Sequence, residues 1–158
     1  MMVDIETLSI VIAGVAVVVG VVYSSFQLRE QTRSRHTDLV MRLYDTFSSN
    51  DFQDAWHKVR TSDIKEYSDV ARDSPKELFS AINKVGLFFE GVGILLRRRV
   101  TDTRMVEDLF GGTIIRAWES VRPAVVGARK QLNDPEVYYY FEYLYDEMKR
   151  EQKLGPTS

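Results

Sequence analysis

From Leu8 to Val22 the chain reads LSIVIAGVAVVVGVV, with Ser9 as the only polar side chain and no charge. Extended to Phe26 the run has 19 residues. At a rise of about 1.5 Å per residue a helix of this length covers ~28 Å, close to the ~30 Å of a bilayer's hydrocarbon layer. The run is rich in β-branched valine, a mediocre helix former in water. In lipid a helix is the one form in which a single segment satisfies its own backbone hydrogen bonds. A strand of this length is disfavoured, since strands rarely exceed about ten residues. Residues 8–26 are therefore expected to form a transmembrane helix.

Charge around the run sets the expected orientation. Asp4 and Glu6 precede it, and Arg29, Arg33 and Arg35 follow it. A cleaved signal peptide needs a positive N-terminal region, which is missing here. The positive-inside rule puts residues 1–7 outside and everything after Phe26 in the cytoplasm, at the plasma (inner) membrane. Ala16, Gly20 and Ser24 recur every fourth residue and form a small-residue stripe, where another helix, from a second copy or another membrane protein, can approach closely.

The rest of the chain carries 21 basic and 21 acidic groups. A neutral domain lacks the broad positive field that binding to a phosphate backbone requires, so no nucleic-acid partner is expected. Cysteine is absent. That removes disulfides, thiolate metal sites and cysteine nucleophiles.

Helical periodicity dominates the remaining residues, and no segment alternates like a strand beside a hairpin turn. Gln27–Ser48 reads as a helix leaving the membrane, polar nearly all round over a stalk at 27–38 and then amphipathic through Leu39, Val40, Leu43, Tyr44 and Phe47. A short helix is expected near Asp51–Arg60, and a loop over Thr61–Asp73. Ser74-Pro75-Lys76-Glu77 is a strong start signal, with a capping serine, proline at the first helical position and glutamate three residues after the cap. It opens a central helix to about Arg98, in which Gly86, Gly91 and Gly93 imply close packing by neighbours. A helix over Asp102–Phe110 is expected to stop at Gly111-Gly112, another to start near Thr113, with a kink or break at Pro123. Asn133-Asp134-Pro135 reads as the cap and start of the last helix. The expected architecture is all-α: a membrane helix, a stalk, a cytoplasmic bundle of about five helices over 39–152, and a disordered tail at 153–158.

Several residues are candidates for contact with a partner or ligand. Glu90 lies within VGLFFEGVGILL, where an unpaired charge is costly. It is expected to be paired, with Arg116 for example, to face outward at the helix rim, or to touch a ligand. Phe110-Gly111-Gly112-Thr113 offers either an anion site at a helix start or an ordinary interhelical turn. Trp118 and the tyrosines Tyr138, Tyr139 and Tyr143 are candidate partner contacts, the tyrosines as an exposed aromatic patch or as cover for the stalk. Arg97, Arg98 and Arg99, with Arg104 nearby, either complement a helix C-terminus or meet anionic lipid headgroups. Asp54 and His57 are half of a metal pattern at best, so neither metal nor cofactor is expected.

Leu43-Tyr44 with Phe47, Phe88-Phe89-Glu90 with Gly93, Phe110-Gly111-Gly112 with Trp118, and the aromatic run Tyr138–Tyr145 together resemble an uncharacterised prokaryotic family, a domain of unknown function. The resemblance extends from the anchor to about Lys149. It implies an N-terminal membrane helix plus a compact helical cytoplasmic region, and no activity. The functional expectation is a non-enzymatic interaction module or accessory subunit that holds a partner at the membrane. A ligand- or anion-responsive sensor ranks second and an enzyme of unrecognised type third.

Overall fold

A computed structural model of the chain describes residues 16–24, 27, 38–72 and 75–154. The chain divides into two units, Met1–Met41 and Arg42–Ser158. The fold is all-α, with no strand among the described residues.

In the first unit residues 16–24 are helical, and all nine are exposed. Val17, Val18, Val19, Val21, Val22 and Tyr23 each expose about half or more of their surface. Ala16, Gly20 and Ser24 lie on this helix, and no heavy atom lies within 4 Å of where a Gly20 Cβ would be. The predicted segments 1–15, 25–26 and 28–37, with Arg29, Arg33 and Arg35, lie outside the described residues, as do Ser74 and 155–158.

The second unit is a bundle entered through a helical stretch ending at residue 48. Helix α1, Asn50–Thr61, is capped by Ser49, whose hydroxyl accepts from the Phe52 amide. It buries Phe52, Ala55, Trp56 and Val59, spaced as one helical stripe. A six-residue helix, α2, Tyr67–Arg72, interrupts the expected loop. The Asp69 carboxylate accepts from the amides of Lys65 and Glu66 at its start, a local turn that hydrophobic periodicity does not register.

Helix α3, Pro75–Arg97, begins at the proline, as its start signal predicts. Among the described residues its span Lys76–Arg97 is the one helix long and apolar enough to cross a membrane. In the bundle, however, α3 is the core element. Val85, Phe89 and Val92 are fully buried, and Lys84 reaches Asp51 of α1 on its polar side. The helix ends in a Schellman turn: the amides of Arg99 and Val100 donate to the carbonyls of Leu96 and Leu95, both at 2.9 Å. Arg99 takes the left-handed conformation there, with φ 56°, where glycine is the usual residue.

Helix α4, Thr103–Leu132, corrects the expected break. Asp102 caps it, and the helix then runs through Gly111-Gly112 and Pro123 without interruption. Gly111 is buried, with Met148 of the last helix beside it, so tertiary packing outweighs the ~1 kcal/mol that a glycine costs inside a helix. Asn133 closes α4 in a left-handed conformation, φ 50°, instead of opening the next helix. The last helix, α5, Tyr139–Leu154, therefore starts later than expected, and its final turn includes Lys153, placed in the tail by the sequence reading.

Helices α1 and α3 are antiparallel, since Lys58 meets Glu77 and Asp51 meets Lys84. Phe47, Phe52, Phe88, Phe89 and Phe110 form one ring-to-ring cluster at 4.8–6.2 Å between centroids. It continues through Phe89–Phe141 into Trp118, so four helices, α1, α3, α4 and α5, share one aromatic core.

Candidate functional site

Glu90, Tyr138 and Tyr139, of the candidates, come together where α5 begins against α3. Residues Asn83, Gly86, Glu90 and Gly93 are spaced by three and four and so lie along one side of α3. The start of α5 lies on that side. A helix N-terminus leaves amides without intrahelical partners. Here the Tyr139 amide donates to Glu136 O at 3.0 Å. The Tyr140 amide donates to Glu90 Oε1 at 3.2 Å and the Phe141 amide to Glu90 Oε2 at 2.7 Å. The Glu142 amide donates to Tyr138 O at 3.1 Å, which makes Tyr138 the capping residue. Tyrosine has no side chain suited to a cap, and Glu90 of α3 supplies the carboxylate instead.

This answers the question raised by a charge inside an apolar helix. Glu90 is half-buried, and its partners are backbone amides, not Arg116, which is exposed. Glu90 lies at the positive end of the α5 dipole, a favourable place for an acidic side chain to accept from backbone amides. Both oxygens hold amides, so the group is engaged in structure and is poorly placed to shuttle a proton.

Two glycines permit the close approach. A Cβ on Gly93 would lie 2.1 Å from Tyr140 O, and one on Gly86 would lie 2.7 Å from the Tyr138 ring. Gly91 differs, with no atom within 4 Å of a Cβ there. Tyr138 has φ 52°, an unusual conformation for a bulky residue. Its hydroxyl donates to Asn83 Oδ1 at 2.7 Å. Burial, and then the Glu90 charge, push the phenol up to about 12. Arg129 ties the other side: Nε donates to Val137 O at 2.9 Å, one terminal nitrogen pairs with Glu142 at 2.7 Å, and the guanidinium lies 5.9 Å from the Trp118 ring centre.

The predicted contact residues therefore separate. Trp118 is 1% exposed and belongs to the core, against Phe141 and Tyr145. Tyr138 packs inward, which corrects the expectation of an exposed patch there. Tyr143 is half-buried beneath Arg97, 5.4 Å from guanidinium to ring centre. Tyr139 is exposed. Gly111 and Gly112 lie inside α4, so no helix start exists there to bind an anion. Arg97, Arg98 and Arg99 are exposed at the end of α3. Asp54 and His57 are both exposed, and no group of three or more potential metal ligands occurs among the described residues.

Sequence reasoning missed Asn83 and Arg129. Asn83 had a signal, a polar residue two turns before Glu90 on the same side of an apolar helix. Arg129 had none, because its partners lie 8 and 13 residues further on.

No curated protein and no solved structure matches the chain. Residues 10–148 match the family described as a domain of unknown function, DUF4760. That match spans most of the chain, including the Glu90 cap and both glycines that admit α5, and the chain belongs to this family.

Proposed function

We propose that the protein is a non-enzymatic interaction module held at the cytoplasmic face of the plasma membrane by its N-terminal helix. The observation that carries the reading is the helical stretch 16–24, in which every residue is exposed and six are large and apolar. Such a surface has no favourable arrangement in water, whereas lipid accepts it on all sides. The arginines after Phe26 favour a cytoplasmic bundle. The second unit contributes the binding face. Phe79, Leu87, Leu132 and Tyr139 present large apolar surface to solvent, and Leu87 and Leu132 are each more than 60% exposed. A tether raises the local concentration of such a face near membrane partners and so strengthens contacts that are weak in free solution.

The test is purification of the full chain from native membranes in mild detergent through a C-terminal tag, followed by mass measurement of what accompanies it. A defined complex with other polypeptides is the expected result. A monomer or homo-oligomer with nothing attached contradicts the stable-subunit form. A slot beside Tyr138 favours a second reading, in which the bundle responds to a small ligand.

A further inference from the structure

Between α2, α3 and the end of α4 lies a slot of about 160 Å³, lined by Val70, Ile82, Val125 and Ala128 and bounded by Tyr138. It lies outside the Glu90 and Gly111-Gly112 candidates, and none of the described residues fills it. Dry apolar cavities of about 150 Å³ accept a benzene-sized molecule. This slot has a similar volume, but it opens to solvent beside the exposed Phe79 and Leu132, and it also has a polar corner. Asn83 and the Tyr138 hydroxyl both line it, and the hydroxyl spends its proton on Asn83 Oδ1. Among the described residues the Asn83 amide N–H groups have no protein partner, so they remain free to donate. The phenol stays neutral to about pH 12 and keeps lone pairs to accept. Tyr138 is held there by an uncommon backbone conformation, with its ring against Gly86. Strain retained in a cavity wall is a feature of ligand sites.

We propose that this slot is a binding site for a small, mainly apolar molecule of single-ring size carrying one hydrogen-bonding group, which Asn83 and Tyr138 recognise. The proposal rests on the second reading, a ligand-responsive bundle, and is independent of whether the chain is tethered.

The test uses the full-length protein in nanodiscs, with methyl NMR and two probes of like shape, phenol and toluene. The Ile82 and Val125 methyls should shift saturably with either probe, while those of Val59 and Val106 stay still. Phenol should bind about tenfold tighter, the value of one net hydrogen bond of ~1.4 kcal/mol. Ala128→Phe fills the slot and should abolish the shifts without lowering the melting temperature. Asn83→Leu should keep toluene binding and weaken the preference for phenol, since only the Tyr138 hydroxyl then remains to bond it, which gives a readout should the filled variant misfold. Shifts that do not saturate, that spread equally to Val59 and Val106, or that persist in A128F overturn the site. Equal binding of phenol and toluene by the unmodified protein overturns the polar recognition. Site-specific binding that leaves the bundle's methyl spectrum otherwise unaltered supports the site while refuting the ligand-responsive reading.

Discussion

Two apolar helical segments of this chain meet opposite surroundings. In the stretch 16–24 every side is apolar and every side is exposed. In α3 the fully buried Val85, Phe89 and Val92 mark one side, while Lys84 and Glu90 hold specific partners on others. Length and mean hydropathy qualify α3 as a membrane span, yet its polar residues are placed for protein neighbours. Val17 at 66% and Leu87 at 65% are equally exposed by area. One sits among valines on all sides and the other beside Lys84 and Glu90. The distribution of charge round a helix, more than its average hydropathy, separates an apolar stretch exposed on every side from the core helix of a bundle.

The largest expected effect sharpens that contrast directly. Val17→Arg places a charge in the proposed membrane helix and should cost about 3 kcal/mol of insertion, read as a shift of the full chain out of the membrane fraction. Leu87→Arg makes the same chemical change on α3 and should leave both membrane retention and stability within about 0.5 kcal/mol. Equal release by the two variants would break the comparison.

Next in size is Gly93→Ala. Its new Cβ meets a backbone carbonyl at 2.1 Å, so α5 must move, at about 2–3 kcal/mol in chemical denaturation. Gly91→Ala, half a turn away in open space, should instead stabilise by about 0.5–1 kcal/mol through helix propensity.

Glu90→Leu leaves the Tyr140 and Phe141 amides without their carboxylate and should destabilise by about 2 kcal/mol. Glu90→Gln, which retains one acceptor oxygen, should lose roughly half of that. A neutral Glu90→Leu would mean that water replaces the cap.

Tyr138 gives an alkaline signature. Its folded pKa is raised to about 12 from an unfolded value of 10, so the unfolded chain loses this proton first. The contribution is intact below pH 10 and is lost as pH rises from 10 towards 12. Tyr138→Phe should flatten that part of the stability curve. The smallest effect expected is at Arg99, where glycine relieves the left-handed strain: Arg99→Gly should stabilise by about 0.5–1 kcal/mol, read in the same denaturation experiment.

Local chemistry was legible where the signal lay within a few residues. The start of α3 at Pro75 and the apolar stripe Ile114, Trp118, Val121 and Val125 follow from local residues and spacing, and of the three helix glycines expected to pack closely, Gly86 and Gly93 do while Gly91 stands open. What failed depended on partners remote in sequence. Gly111-Gly112 reads as a stop, but Met148 packs beside it and α4 continues. Asn133 reads as an N-cap, but the groups that satisfy the start of α5 are Glu136 O and a carboxylate 50 residues earlier. Glu90 was visible as an anomaly, and only the fold supplies its partner.

The lack of native cysteine makes the central contrast directly measurable. Val17→Cys and Leu87→Cys, each in the full-length protein in nanodiscs with both faces open to solution, would be labelled with a charged maleimide before and after detergent. The expected result is rapid labelling at position 87 and protection at position 17 that detergent abolishes. Labelling at position 17 as fast as at 87, with no detergent effect, would contradict a membrane-held N-terminal helix.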